Sequence, residues 1–324
     1  MSNPGSIFVE SPARLHFGVL DLRGRLGRCF GGLGAAIPSP SLLLEARPAA
    51  DISAHGPDAS RAREFAARFL AYHRSTAGVR LTIHRSVPIH AGLGSGTQLG
   101  LAVARALAEL LGLPTDPLEL ARAAARGKRS AIGTWTFALG GFIVEGGRRP
   151  GSDELAPLLA RFPIPESWHC VVAIPSGSAG LSGEAEARAF AELPSPPDRE
   201  VERVSHLVLM QLLPALVEAD LASFGEALSN VQRITGSWFA EAQGGVFAPG
   251  QTELLISKMA EWGSAGVGQS SWGPAAYGLV QSADAAAELA GRLLPLLGPS
   301  GQVFHGGFAG RGARVWRGSQ PAPP

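Results

Sequence analysis

Apolar residues recur with two different periods along the chain, and each period predicts a different secondary structure. Short alternating or continuous apolar runs predict strands over residues 7–10, 11–19, 41–46, 51–54, 79–87, 140–145, 169–175, 276–280 and 301–308, with 41–46 and 51–54 as a pair. Helical spacing predicts helices over residues 61–73, 99–111, 117–126, 183–193, 198–217, 221–242, 249–262 and 283–294. Phe65, Phe69 and Tyr72 share one stripe of the first helix, so we expect all three in the core.

Strands and helices are mixed along the chain, which is typical of an α+β protein. A stretch rich in proline, glycine and charge, residues 148–167, divides the chain into two halves. We therefore predict an N-terminal domain over residues 1–155, a C-terminal domain over 156–317 and a disordered tail over 318–324. The active site is expected between the two domains, since such clefts are common ligand sites.

The composition narrows the class of protein. The 324 residues are 45% hydrophobic and carry a formal net charge of +1, so the charge does not point to a nucleic-acid partner. We see no signal peptide and no run of about 18 apolar residues, and we expect no membrane partner. Two cysteines in a chain of this length do not make a disulfide framework, which fits a cytoplasmic protein.

A glycine-rich loop between a strand and a helix carries the clearest chemical signal. It follows the strand over 79–87 and leads into the helix over 99–111. The backbone N–H groups of such a helix N-terminus, together with the helix dipole, favour a bound anion. The alternative is a tight turn that needs positive φ at its glycines. The candidate phosphate-binding residues of this loop are Gly92, Leu93, Gly94, Ser95, Gly96 and Thr97.

A second glycine-rich loop is predicted over residues 265–274, before the strand at 276–280. Placed beside the first loop it would form a second wall of the site, with Trp272 stacked on an aromatic substrate. The alternatives are an ordinary turn and a half-buried tryptophan at the junction of the domains. The candidate substrate-binding residues are Gly268, Gln269, Ser270, Ser271 and Trp272.

The first loop resembles the nucleotide-phosphate loop of the GHMP kinase superfamily, since a proline is followed after three residues by Gly-Leu-Gly-Ser. In kinases of this superfamily that use a catalytic base, a serine, a glycine and an apolar residue precede an aspartate. Here Ser130, Ala131 and Ile132 precede Gly133, and a glycine cannot accept the proton of a substrate hydroxyl. Some kinases of the superfamily also lack this aspartate, so its absence weakens the kinase hypothesis without excluding it.

Four motifs together resemble one family of this superfamily, the β-ribofuranosylaminobenzene 5′-phosphate synthases of methanopterin biosynthesis. They are residues 94–99, 129–133, 140–144 and 268–274, of which the last, Gly-Gln-Ser-Ser-Trp-Gly-Pro, is the most specific. The resemblance implies a two-domain GHMP-kinase-like fold of the α+β class, with a ribosomal protein S5 domain 2-like N-terminal domain and a ferredoxin-like C-terminal domain. It also implies a decarboxylating phosphoribosyltransferase that condenses phosphoribosyl pyrophosphate with 4-hydroxybenzoate or 4-aminobenzoate, releasing CO₂ and pyrophosphate.

The same resemblance implies cofactors and catalytic residues. Mg²⁺ without an organic cofactor is expected, the partners are small-molecule substrates, and a homodimer is one expectation for the assembly. Arg14, Lys128 and Arg129 are the candidate cations for the 5′-phosphate and the benzoate. His16 and His90 are candidate proton relays, and the alternative for each is a structural hydrogen bond. No metal ligand is assigned, although three carboxylates come into question: Asp21, Glu184 and Glu186.

Two other classes of function stay open at this point. One is a small-molecule kinase of the same fold, which would consume ATP. The other is a non-catalytic phosphate-binding or nucleotide-binding protein, which would bind its ligand without turnover.

Overall fold

The chain folds into two lobes, each made of a β-sheet covered by helices. The structure, a computed structural model, describes residues 5–152, 154–177, 180–181 and 183–318. The strands are β1 Ser6–Asp21, β2 Phe30–Ala49, β3 Ser53–His55, β4 Gly78–Arg85, β5 Phe142–Glu145, β6 Leu158–Phe162, β7 His169–Ile174, β8 Gly266–Gln269, β9 Ala276–Val280, β10 Gln302–Gly306 and β11 Arg314–Gly318. The helices are α1 Ala59–Tyr72, α2 Ser95–Leu111, α3 Pro117–Ala123, α4 Ile132–Leu139, α5 Gly183–Glu192, α6 Asp198–Leu207, α7 Leu213–Val217, α8 Leu221–Gln243, α9 Gln251–Glu261 and α10 Ala283–Leu293.

A seven-stranded sheet forms the centre of the first lobe. Its strands lie in the order β11-β1-β2-β4-β3, while β5 pairs with β2 and carries β6 on its other side. Helices α1, α2 and α4 pack against this sheet. The apolar positions that alternate along the strands are buried beneath these helices, as Ile7, Leu15, Leu44 and Leu81 show.

β1 and β2 are longer than the sequence predicts. Pro12 does not divide β1, because the register with β2 shifts between Pro12 and Ala13 and this irregularity tolerates a residue without an N–H. β2 begins at Phe30, well before the strand predicted over residues 41–46. A Cβ at Gly34 would lie 2.3 Å from Ile132 Cγ2, so the glycine allows α4 to pack directly on the strand.

The predicted pairing of residues 41–46 with 51–54 is wrong. β3 pairs with β4 in parallel, and α1 forms the crossover between them. β2 pairs with β4 directly and antiparallel. The core position predicted for Tyr72 is also wrong, since this residue ends α1, is 46% exposed and donates a hydrogen bond to Glu119 Oε1 at 3.0 Å.

The first sheet continues beyond the domain limit that we predicted after residue 155. β6 pairs with β5, and β11 returns from the far end of the described chain to pair with β1. β6 is an edge strand without a fully buried residue, which explains its weak apolar pattern. Gly318, the first residue of the predicted tail, belongs to β11, and residues 319–324 lie outside the described part of the chain.

The second lobe contains a four-stranded antiparallel sheet in the order β10-β7-β9-β8, with α8, α9 and α10 packed against it. In chain order these strands lie 4-1-3-2, as in a ferredoxin-like sheet. The first part of the predicted loop over 265–274 is instead β8, which pairs with β9. A Cβ at Gly266 would lie 2.7 Å from the Cα of Gly225, so its glycine serves the close packing of β8 on α8.

The predicted helix over 198–217 is divided into α6, a π-helical turn over Val208–Leu212, and α7. Pro214 follows this wider turn and lies in the first turn of α7, where its missing N–H is tolerated. α4 is a helix that the sequence analysis did not predict, since its threonine and aromatic residues have modest helix propensity. Within the described residues, the structure contains no helix of the length and apolar character needed to cross a membrane.

Candidate active site

A cleft of about 300 Å³ opens between the two lobes. The first lobe contributes β1, the start of α2 and the segment before α4, while the second lobe contributes α5, one face of α8 and the residues that follow β8. The cleft therefore lies where the sequence analysis expected the site. Eight of the predicted site residues line it: Arg14, His16, Thr97, Lys128, Arg129, Gln269, Ser271 and Trp272.

The glycine-rich loop leads directly into the N-terminus of α2. Gly94 precedes the helix with a φ of 79°, so the loop is a tight turn and also presents the first N–H groups of α2. A Cβ at Gly94 would lie 3.0 Å from Arg14 Cγ. A Cβ at Gly96 would lie 2.5 Å from Arg61 Nη2 and 3.3 Å from Arg126 Nη2. Three arginine side chains thus lie against the loop, which favours an anionic ligand there.

These arginines are only partly compensated by carboxylates. Arg61 Nη1 lies 3.1 Å from Asp58 Oδ2. Arg126 Nε is buried and has no hydrogen-bond partner within the described residues. Burial, followed by repulsion from Arg61 and Arg68, lowers the pKa of Arg126 to about 10. Burial also lowers the pKa of Arg14 to about 10, so an anion in the cleft would relieve both guanidinium groups.

The loop after β8 packs directly on the glycine-rich loop. Gly92 O accepts hydrogen bonds from Arg14 Nη1 and, at 2.7 Å, from Ser270 Oγ. The backbone N–H of His16 donates to the same hydroxyl at 3.0 Å. A Cβ at Gly92 would lie 2.1 Å from Ser270 O, so this contact requires glycine. Ser270 is buried in this junction and links the two walls, whereas Gly268 is buried in β8 against Gln232 and Tyr277.

His16 is the buried end of a hydrogen-bonded chain. Its Nδ1 accepts from the N–H of Gly18 at 3.4 Å, which assigns the ring proton to Nε2, 3.1 Å from Ser130 Oγ. Ser130 in turn hydrogen-bonds to Glu145, a carboxyl group whose pKa is raised by burial. Burial, with a smaller effect from Arg14, lowers the pKa of His16 to about 3. His16 is therefore neutral throughout the physiological range.

Other predicted residues occupy different positions. His90 is exposed with a φ of 56°, and it is not among the residues that line the cleft. Leu93 is buried and its carbonyl accepts from the backbone of β1. Lys128 lies exposed at the rim, whereas Arg129 Nη1 lies 2.9 Å from Glu186 Oε2 inside the cleft.

Aromatic side chains form another part of the cleft wall. Trp272 is 7% exposed and makes edge contacts with Phe190 and Phe239, at ring-centroid distances of 5.4 and 4.9 Å. Phe190 also contacts Phe30 at 5.6 Å, and the guanidinium of Arg129 lies 5.3 Å from the Phe190 ring centroid. The tryptophan is thus buried at the junction of the lobes, and the part of it that remains accessible lines the cleft. An aromatic binding surface requires this arrangement.

The three carboxylates that were considered as metal ligands have different surroundings. Asp21 pairs with Arg23, Glu184 is exposed on α5, and Glu186 lines the cleft. Within the described residues, no group of three His, Cys, Asp or Glu side chains is placed to hold a metal ion. Of the three, Glu186 alone lines the cleft, where its Oε2 is paired with Arg129 Nη1.

The sequence analysis missed several residues of the cleft. Arg126 in the cleft wall and Arg61 beside the glycine-rich loop gave no signal, because single arginines do not stand out in an arginine-rich chain. One face of α8 did contain a signal, since Gln232, Thr235 and Gln243 recur at helical spacing. The members of this face that line the cleft are Gln232, Thr235, Gly236, Phe239 and Gln243.

Fold and cleft together define a member of the GHMP kinase superfamily. The family models described as GHMP kinases N terminal domain and GHMP kinases C terminal match residues 60–141 and 212–295. The solved homoserine kinase from Cytophaga hutchinsonii superposes with a TM-score of 0.71 over 98% of this chain and 99% of that chain. At 17% identity this likeness shows the fold, and it confirms the predicted two-domain architecture.

The chain belongs to the family of the β-ribofuranosylphenol 5′-phosphate synthases. It is 34% identical to the protein of that name from Methanothermobacter thermautotrophicus, over 95% of this chain and 98% of the relative. The Archaeoglobus fulgidus protein of the same name is 34% identical over 85% of this chain and 88% of its own. The family resemblance found in the sequence is thereby confirmed, and the protein is an enzyme.

Proposed function

We propose that this enzyme joins phosphoribosyl pyrophosphate to 4-hydroxybenzoate or 4-aminobenzoate and releases CO₂ and pyrophosphate. The observation that carries the proposal is one cleft whose wall contains Arg14, Arg126 and Thr97 beside the glycine-rich loop and also an aromatic cluster around Trp272. A reaction between a phosphorylated sugar and a benzoate needs both kinds of surface at once. The name shared by the full-length relatives supports the same activity.

The arginine-lined loop is suited to the pyrophosphate. As pyrophosphate departs, negative charge grows on it while the anomeric carbon becomes cation-like. The N–H groups at the start of α2 and the side chains of Arg14, Arg61 and Arg126 would stabilise that charge. Mg²⁺ bound to the pyrophosphate would add to this neutralisation, with Glu186 as the carboxylate beside it.

The bond changes in this reaction balance without a proton transfer. The ring carbon that bears the carboxylate attacks the anomeric carbon, and the bond to pyrophosphate breaks with its electron pair. Loss of CO₂ then returns the electrons of the carbon–carboxylate bond to the ring and restores its aromaticity. Attack precedes or accompanies decarboxylation, because a free aryl anion is too unstable. A neutral His16 that donates to Ser130 suits this chemistry as a positioning residue.

The aromatic part of the cleft wall would align the ring and exclude water. Trp272 and Phe239 offer a fixed apolar surface against which a benzoate ring can be held facing the anomeric carbon. Phe190 covers this surface from α5. Excluding water protects the cation-like ribose from hydrolysis during the reaction.

The geometry around Gly133 argues against phosphoryl transfer by the kinase mechanism. A Cβ at this position would lie 2.9 Å from Thr97 Cγ2 and 3.2 Å from Thr97 Cβ. The carbonyl of Gly133 accepts from Gln98 Nε2 at 3.0 Å, which fixes the backbone here. An aspartate at this position would therefore meet the Thr97 side chain already at its Cβ.

The homodimer and the cytoplasmic location stay predictions.

One experiment tests the proposal against both alternatives. The protein is incubated with phosphoribosyl pyrophosphate, Mg²⁺ and carboxyl-labelled 4-hydroxybenzoate or 4-aminobenzoate, and CO₂ and pyrophosphate are measured together. We expect equal amounts of both products, dependent on the sugar substrate. Parallel assays with ATP and homoserine, mevalonate or galactose should yield no ADP. Acceptor-dependent ADP formation would instead establish a kinase, and tight binding of phosphoribosyl pyrophosphate without turnover would establish a binding protein.

A further inference from the structure

A buried carboxyl group lies directly behind the wall of the cleft. Glu145 ends β5 and is fully buried, and it does not belong to the described residues that line the cleft. A Cβ at Gly32 would lie 3.4 Å from Glu145 Oε1 and 3.4 Å from His16 Nε2, so the two side chains meet at the same point of β2. His16 itself lines the cleft. Because a buried carboxyl group is costly unless its oxygens are hydrogen-bonded, its partners indicate what it does.

Glu145 joins two segments of the backbone. The N–H of Ala131 donates to its Oε1 at 3.4 Å, and the N–H of Gly147 donates to its Oε2 at 2.7 Å. The side chain of Ser130 is a third hydrogen-bond partner. Burial raises the pKa of Glu145, and these three hydrogen bonds oppose that shift. The carboxyl group therefore fastens the segment before α4 to the end of β5.

The hydrogen bonds around Ser130 have a defined direction. Its Oγ accepts from the N–H of Ile132 at 3.3 Å and from His16 Nε2 at 3.1 Å. The ring proton is on Nε2, because Nδ1 accepts from the N–H of Gly18 at 3.4 Å. Both lone pairs of the hydroxyl oxygen are then used, so its own proton is donated to Glu145. A carboxylate accepts all three donors, whereas a protonated Glu145 would find no acceptor left within this network of described residues.

We propose that Glu145 is a positioning residue for the reaction: its carboxylate fixes the hydroxyl of Ser130 and, through it, the tautomer and position of His16. The inference rests on the proposed function, because that reaction is what the ordered wall serves. The segment that Glu145 holds also carries Lys128 and Arg129, which line the cleft beside Ser130. The arginines beside the glycine-rich loop make their contacts with other residues. Loss of the carboxylate should therefore lower kcat and leave the binding of phosphoribosyl pyrophosphate unchanged.

Nitrogen NMR of the wild type tests the direction of these hydrogen bonds. The protein is labelled with ¹⁵N in its histidine rings, and the signals of His16 are those that disappear in His16→Asn. At neutral pH we expect one tautomer of His16, with the proton on Nε2 and none on Nδ1. A proton on Nδ1 would mean that Ser130 donates to His16 instead of to Glu145, and it would overturn the proposal.

A double-mutant cycle tests whether Glu145 acts through Ser130. Glu145→Gln keeps the size of the side chain but sets an amide NH₂ against a backbone N–H, and Ser130→Ala removes only the hydroxyl. Each should lower kcat, followed as CO₂ release, by about tenfold. The double variant should lose no more than the larger single effect, since both changes break the same network. The exposed Glu226, which accepts from Gln211 outside the cleft, supplies the matched control, and Glu226→Gln should leave kcat unchanged.

Several outcomes would overturn the proposal. One is a double variant in which the two effects on kcat multiply, because Glu145 and Ser130 would then act separately. Another is a wild-type kcat in a Glu145→Gln protein that thermal unfolding shows to be folded. If Glu145→Gln does not fold, Ser130→Ala and His16→Asn form a second cycle, in which multiplying effects would likewise contradict the network. Absence of CO₂ release from the wild type, with the His16 proton on Nε2, would refute the proposed function while supporting the role of Glu145 in fixing His16.

Discussion

The low pKa of His16 makes the stability of this protein depend on pH by an amount that can be worked out. The pKa of His16 is about 3 in the folded protein, against about 6.5 for an unperturbed histidine in the unfolded chain. As the pH falls, protons bind to the unfolded state first, so stability is lost from pH 6.5 downward to about pH 3. At 1.36 kcal/mol per pH unit, the 1.5 units between 6.5 and 5 correspond to a loss of about 2 kcal/mol.

Replacing His16 by asparagine removes this titration and keeps a side chain that hydrogen-bonds. Between pH 7.5 and pH 5 the free energy of unfolding of the wild type should fall by about 2 kcal/mol more than that of His16→Asn. Urea titrations at each pH measure the difference. His206→Asn, at an exposed position on α6, is the control and should follow the wild type.

Two results would refute the reasoning. One is an identical pH dependence of stability for the wild type and His16→Asn. The other is a His16 ring that titrates near pH 6.5 when its nitrogens are followed by NMR. A charged His16 would also return the ring to consideration as a proton donor, which the proposed reaction does not require.

Further predictions concern the anion-binding and aromatic parts of the cleft. Ser95→Asp places a carboxylate beside the N–H groups of α2 and should abolish binding of phosphoribosyl pyrophosphate in a folded protein; unchanged affinity by calorimetry would locate the phosphate site elsewhere. Arg126→Met should raise the KM for phosphoribosyl pyrophosphate about tenfold or more, whereas the exposed control Arg122→Met should not, and equal KM values would contradict the assignment. Gly133→Asp should destabilise the protein by about 1–3 kcal/mol without creating kinase activity, so ADP formation by this variant would contradict the steric argument. Trp272→Ala should lower kcat/KM for the benzoate and release pyrophosphate in excess of CO₂, because water then traps the ribose; a product ratio of one with an undiminished kcat/KM would show that the tryptophan is only structural.

The sequence alone determined the local features of this protein. Strands, helices and glycine-rich turns depend on neighbouring residues, so periodicity located nearly every element and placed the phosphate loop at the start of α2. Motif spacing identified the family, including the loop that carries Trp272. The absence of a kinase aspartate was visible as Gly133, although its steric consequence is not apparent from sequence.

Tertiary structure decided everything that depends on residues distant in the chain. β11 joins the first sheet across some three hundred residues, and such pairing leaves no periodic signal at the boundary. Arg61 reaches Gly96 from α1 and Arg126 reaches it from the segment after α3, and the pKa of His16 is lowered because the folded chain buries the ring beside Arg14. How deeply a side chain is buried, and which charges lie near it, depends on its neighbours in space and not on its neighbours in the sequence. For this reason the sequence predicted a position for an anion, while only the fold revealed which cations lie around that predicted position and that the histidine beside them is neutral.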